Sequence, residues 1–254
     1  VEDSPTVPGE VTFVAAGALS DNGQPGLPAG YQADDVFVAV VGAAPSAPAG
    51  WTRSSYVSNA LGVYWRRSTA SESVPNFGAG LRARMAAYRG LVATGDPFEV
   101  VGSAGSASGA LGSEVEGVAA PSITTLTNRA LVLLAHGDFA DDAGTTASIA
   151  YQTISAGQPA VGLAFASGAG PAATARGIGL WHSVKSPAGA TGVASGEHAR
   201  VAADDGSYVS GAVILALKPA MVAMPASTWR VDVSPPYSAA TSIFACNSPC
   251  NERL

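Results

Sequence analysis

Leu61-Gly62-Val63-Tyr64-Trp65-Arg66-Arg67 decides the fold. Leu61, Val63 and Trp65 fall on one face and Tyr64 and Arg66 on the other, the period of two that a half-buried strand requires. Leu81-Arg82-Ala83-Arg84-Met85 repeats it, with Arg82 and Arg84 sharing the face opposite Leu81, Ala83 and Met85. These arginines read most simply as a solvated sheet face, and an anion site built from them is the less economical reading. Val36-Phe-Val-Ala-Val-Val41 and Leu131-Val-Leu-Leu-Ala135 are apolar on both faces, so they should be central strands covered by a second layer.

Outward from these, short runs at 10–16, 51–57, 149–154, 161–166, 177–184 and 208–217 are punctuated by Gly, Pro, Asn or Asp, the spacing of sandwiches and barrels. No stretch of helical period competes with them. The chain has 254 residues with 30 Gly and 17 Pro, which interrupt it too often for long helices. Its apolar share is 47%, but 50 of those residues are Ala, so Val and the aromatics must supply most of the core. Pro28-Ala-Gly-Tyr31 and Pro48-Ala-Gly-Trp51 repeat one turn, each with Gly where a positive φ is easily adopted and an aromatic placed to cap the core. The segment 102–122 reads as a flexible Gly/Ser/Ala loop or a weak strand pair.

The expected fold is all-β, a two-layer antiparallel β-sandwich (jelly-roll-like) spanning 11–218. It follows an extended N-terminal segment, 1–10, and carries an extended Pro-rich C-terminal arm, 219–254, in which proline denies the ladder its hydrogen bonds. Within that arm, Cys246 and Cys250 are too few for a zinc site. They are either exposed thiols without structural role, or a small disulfide loop or crosslink between chains.

Charge narrows the partners. A net charge of −6 disfavours bare phosphate backbone and anionic membrane, so nucleic acid and membrane are not expected. The long uncharged stretch 143–175 contains Gln152, Gln158, Pro159 and Pro171, which lipid could not hold as one apolar helix. Val1-Glu-Asp-Ser-Pro5 has neither a basic nor an apolar leader segment, so no secretory signal is expected in it.

Catalytic motifs are not found. Gly105-Ser-Ala-Ser-Gly109 has Ala where a nucleophile elbow needs Ser, and Gly177-Ile-Gly-Leu-Trp-His182 lacks the third glycine of a phosphate loop. His136, His182 and His198 sit in no ligand motif, and Asp138, Asp141 and Asp142 lack calcium-loop spacing and read as turn residues. Asp34-Asp35 and Asp204-Asp205 are sequence neighbours pointing to opposite faces, and read as solubilising turns. No catalytic residue, metal ligand or cofactor is therefore expected. Tyr31, Trp51, Tyr56, Tyr64, Trp65, Tyr151 and Trp181 are of a type that stacks on sugar rings. Core or sheet packing accounts for most of them, and Tyr64 is the best candidate for a surface contact, because Val63 and Trp65 take the buried face.

One resemblance emerges from the same residues. The order 27–35 (Leu-Pro-Ala-Gly-Tyr-Gln-Ala-Asp-Asp), 47–52 (Ala-Pro-Ala-Gly-Trp-Thr), 63–70 (Val-Tyr-Trp-Arg-Arg-Ser-Thr-Ala), 87–91 (Ala-Tyr-Arg-Gly-Leu), 96–98 (Asp-Pro-Phe) and 216–219 (Ala-Leu-Lys-Pro) resembles virion structural proteins, of minor tail or capsid decoration type, from bacteriophages with GC-rich hosts. Tyr31 departs from the pattern, in which Trp is commoner, and so does the tail after 219. The resemblance implies a non-enzymatic protein on the particle exterior whose partners are other virion proteins, including major capsid or tail proteins and further copies of itself. The alternative is an adhesin module for a host receptor or surface glycan.

Overall fold

The computed structural model describes residues 6–110, 116–140, 148–151, 153–155, 158–159, 161–163, 175–199 and 207–223. They contain no helix. Val7–Val222 form one compact unit.

The strands in chain order are β1 Thr6–Pro8, β2 Thr12–Ala16, β3 Val36–Val41, β4 Thr52–Val57, β5 Leu61–Arg67, β6 Ala83–Arg89, β7 Phe98–Val101, β8 Gly105–Ala110 and β9 Glu116–Ala120. They continue with β10 Ala130–Ala140, β11 Ser148–Tyr151, β12 Thr153–Ser155, β13 Gln158–Pro159, β14 Val161–Leu163, β15 Ala175–Lys185, β16 Ala194–Ala199, β17 Ser207–Leu217 and β18 Met221–Ala223. A five-stranded sheet runs β2-β6-β3-β5-β4, and a six-stranded one runs β14-β15-β10-β17-β7 with β8 also on β17. A third sheet runs β11-β16-β9, and β12-β13 and β1-β18 are two-stranded. The registered pairs of the three larger sheets are antiparallel.

Alternation explains the layering. Val36, Val38 and Val40 of β3 meet Leu131, Leu133 and Ala135 of β10, and Val213, Leu215 and Leu217 of β17, across the space between the two main sheets. Each fully buried Val or Leu contributes roughly 1.5–3 kcal/mol, so this seam is the principal source of cohesion. The alternate residues of β10 and β17, Val132, Leu134, Ile214 and Ala216, pack on Val118 and Ala120 of β9 and Ala194 of β16. The third sheet thus covers the back of the six-stranded sheet and adds a layer to the expected two. Phe37, Ala39 and Val41, on the other side of β3, are buried as well, under Trp51 and Phe77. β3 and β10 are therefore central strands buried on both faces.

The two main sheets approach closely at one place. Gly137 and Gly211 face each other on β10 and β17, and the β4–β5 turn drops against them. A Cβ on Gly137 would lie 2.1 Å from the Ala60 carbonyl oxygen, and one on Gly211 would lie 2.6 Å from Val57 Cγ2. Side chains here would push the sheets apart.

Both rim strands of the five-stranded sheet are irregular. β2 slips register between Phe13 and Ala15, and β4 slips between Arg53 and Ser55. The segment 102–122, expected as a loop or weak pair, supplies β8 and β9, which pair with β17 and β16 rather than with each other. Residues 219–223, the first of the expected arm, are held by backbone bonds: the Ala220 amide donates to the Gly90 carbonyl at 2.8 Å and the Gly9 amide to the Ala220 carbonyl at 2.7 Å. The rest of that segment lies outside the described residues, with Cys246 and Cys250.

Candidate functional site

The outer face of the five-stranded sheet gathers the residues that the sequence singled out. Gly30 and Gly50 have φ of 71° and 78°, as the repeated turn required. Each turn delivers its aromatic onto the sheet: Tyr31 meets Phe37 edge-on at 5.1 Å, and Trp51 meets Phe77 at 5.4 Å. The Glu72 amide donates to the Tyr31 hydroxyl at 3.0 Å, while the Glu72 carboxylate pairs with Arg66 at 3.0 Å.

Asp35 corrects one expectation. It is buried, and Arg89 grips it with two bonds, Nε to Oδ1 at 2.8 Å and Nη2 to Oδ2 at 2.7 Å. The Gln32 amide also donates to Asp35 Oδ2, at 2.8 Å, so the carboxylate organises the 30–35 turn instead of solubilising it. Its bonds to Arg89 raise the guanidinium pKa against a smaller opposing effect of burial.

Tyr64 corrects a second. It does point away from Leu61 and Val63, but that side is roofed, and the residue is fully buried among Trp51, Phe77 and Met85. Its ring lies 5.0 Å from Phe77, its hydroxyl donates to the Pro45 carbonyl at 2.6 Å, and burial pushes the phenol pKa up. It cannot be a surface contact. Alternation assigns a face, and only tertiary structure decides whether water lies on it.

Arg82 and Arg84 correct a third. Register places Arg84 opposite Val40, on the face that looks between the main sheets. Its Nε donates to the Gly17 carbonyl at 2.7 Å, and burial lowers its pKa. Arg82 is buried and pairs with Asp21 at 2.5 Å. Neither arginine lies on a solvated sheet face.

The histidines and the acidic cluster separate. His136 is buried beneath the third sheet, on the same face of β10 as Asp138, whose Oδ1 accepts from Ser210 Oγ at 2.7 Å. Asp138 is thus a buried strand residue and no turn, while Asp141 and Asp142 lie outside the described residues. The Asp138–Ser210 bond joins β10 to β17, and both residues are buried. His182 projects from the other face of the six-stranded sheet, into the space between the main sheets. Gly177 and Gly179 lie within β15, as a strand and not a phosphate loop. Among the described residues no group of three or more His, Cys, Asp or Glu is placed to hold a metal, and no helix is long and apolar enough to cross a membrane.

The accessible constellation is on β4, at the rim. Strict alternation would put Arg53 and Tyr56 on opposite faces. The bulge between Arg53 and Ser55 inserts one residue, so both end on the outer face. The Arg53 guanidinium stands 4.4 Å from the centroid of the Tyr56 ring, held there by Nη1 donating to the carbonyls of Ala44 and Pro45 at 3.2 and 3.3 Å. Tyr56 is 54% exposed. An anchored guanidinium beside an open aromatic ring offers a stacking surface and hydrogen-bond donors for a hydroxyl-rich ligand. Sequence reasoning included Tyr56 among its aromatics but passed over it, because the bulge leaves no mark in residue type.

The fold is that of an antiparallel, all-β sandwich protein. Comparison with protein-family models, with curated proteins and with solved structures found no match.

Proposed function

We propose that this chain is a non-catalytic structural protein of a bacteriophage particle, on its exterior as a capsid decoration protein or tail appendage, assembling with other copies and other virion proteins through sheet and arm contacts. The resemblance in the turn and strand-edge residues supports this reading. The observation that carries it is the β1-β18 ribbon, where Val7, Met221 and Val222 are 38%, 57% and 47% exposed. A two-stranded ribbon is marginal in water alone, and apolar side chains grouped on it favour a protein partner.

Because the Ala220 amide and carbonyl are bonded to Gly90 and Gly9, the truncation that tests this reading keeps residues 219–223. A chain ending after Ala223 is expected to fold, with a Tm within about 3 °C of the full chain, because the layered cores of the described residues lie before that point. It should lose self-association in light scattering and be depleted from assembled particles. Assembly equal to that of the full chain would refute the role given to the arm.

A second reading, a receptor- or glycan-binding module, is favoured by the Arg53–Tyr56 pair. Tyr56→Ala is expected to weaken binding to host cells or their polysaccharide by about two- to tenfold at unchanged Tm, the worth of one aromatic contact. No saturable binding by the wild-type protein would eliminate this reading.

A further inference from the structure

We infer that His182 is an acid-sensitive latch between the two main sheets, whose protonation loosens the margin of the sandwich formed by β2, β6, β14 and β15. The imidazole lies 5.2 Å from the Phe13 ring of β2 and meets Tyr88 of β6 edge-on, at 6.1 Å and 86°. Phe13 and Tyr88 also touch, at 5.9 Å, so three rings from three strands close this margin. Two polar atoms in the group, His182 Nδ1 and Tyr88 OH, are buried with no hydrogen-bond partner. A neutral imidazole tolerates that environment as an aromatic. An imidazolium needs an acceptor for each N–H, and the buried nitrogen has none.

Among the described residues, the strands packed around His182 bring no counter-charge. β2 gives Phe13, and β3 gives valines on its inward face, with Asp35 just ahead of it bound to Arg89. On β6 the inward groups are Tyr88, whose phenol is pushed up by burial and stays neutral, and Arg84, a cation; Arg89 serves the opposite face. Register sets His182 beside Leu133 of β10, whose His136 and Asp138 face the other side, and beside Val161 of β14. β12, β13 and β14 contain no ionisable residue, and Tyr151 of β11 belongs to the sheet on the far face. On β15 itself, Arg176 shares the inward face six residues away, and Lys185 has the opposite parity. Glu10 and Arg129 are exposed and 4.0 Å from one another.

The direction of the effect is fixed by that environment. Burial holds the imidazole pKa below its ordinary 6.5, so an opened or unfolded chain takes up the proton first. The latch is closed above about pH 6.5 and releases as the pH falls through the interval below it. This does not depend on whether the protein decorates a particle or binds a glycan.

Hydrogen exchange on the full chain tests it. Between about pH 7.5 and about pH 5, corrected for intrinsic rates, amide protection in β2 and β15 should fall roughly three- to tenfold in the wild type and stay level in His182→Phe, which keeps a ring in place. An NMR titration of the wild-type imidazole supplies a reading that does not depend on the variant folding, with a midpoint below 6.5 expected. An equal loss of protection in His182→Phe, no loss in the wild type, or a midpoint at or above 6.5 would overturn the proposal.

Discussion

Gly137→Ala should destabilise the protein by about 3 kcal/mol, the upper part of the range for overpacking a closely fitted interior. In a domain of this size that is ~6–12 °C in Tm. The obstacle to the new methyl is backbone: the Ala60 carbonyl oxygen at 2.1 Å and the Leu61 Cα at 2.9 Å. Neither can move without displacing the β4–β5 turn, which the Ala60 amide closes on the Val57 carbonyl at 3.1 Å. Gly211→Ala meets a similar obstacle, since its Cβ would lie 2.6 Å from Val57 Cγ2 and 2.7 Å from Val57 Cβ, and rotation about χ1 moves the first but not the second. A loss of about 2–3 kcal/mol is expected there too, and a negligible one would place the constraint on the Gly137 side of the pair. Thermal and urea denaturation of both variants measure it. Equal and negligible losses would mean that the sheets do not approach as closely as described.

Tyr64→Ala is expected to cost about 3–5 kcal/mol, the loss for a large aromatic removed from a sealed core. Trp51, Phe77 and Met85 would line the resulting space. Tyr64→Phe keeps the ring and removes only the bond to the Pro45 carbonyl, so about 1 kcal/mol is expected. The pair of variants bears on function as well as stability. A glycan-binding defect in Tyr64→Ala would arise from partial unfolding, whereas the same defect in Tyr56→Ala, at unchanged Tm, would locate a contact.

Much of the fold is legible in residue type. The apolar run at 36–41 and the one that opens at 131 demand cover on both sides, and both strands have it. The Pro-Ala-Gly-aromatic turns declare their backbone through Gly30 and Gly50. Three kinds of fact are not legible. The first is what covers a face: Tyr64 looks like a surface residue until Trp51 and Phe77 close over it, and Asp35 until Arg89 of β6 pairs with it. The second is a shift in parity, such as the one that sets Tyr56 beside Arg53. The third is strand formation by small residues, as in β8 and β9, where Gly, Ser and Ala give no periodic signal and the partners β17 and β16 supply the ladder.

The bulges in β2 and β4 have one more consequence. Each interrupts the regular row of amide and carbonyl groups along its margin, so neither side of that sheet presents a straight template on which a neighbouring molecule could add strand after strand. Fibre growth from those margins is thereby discouraged even at high local density.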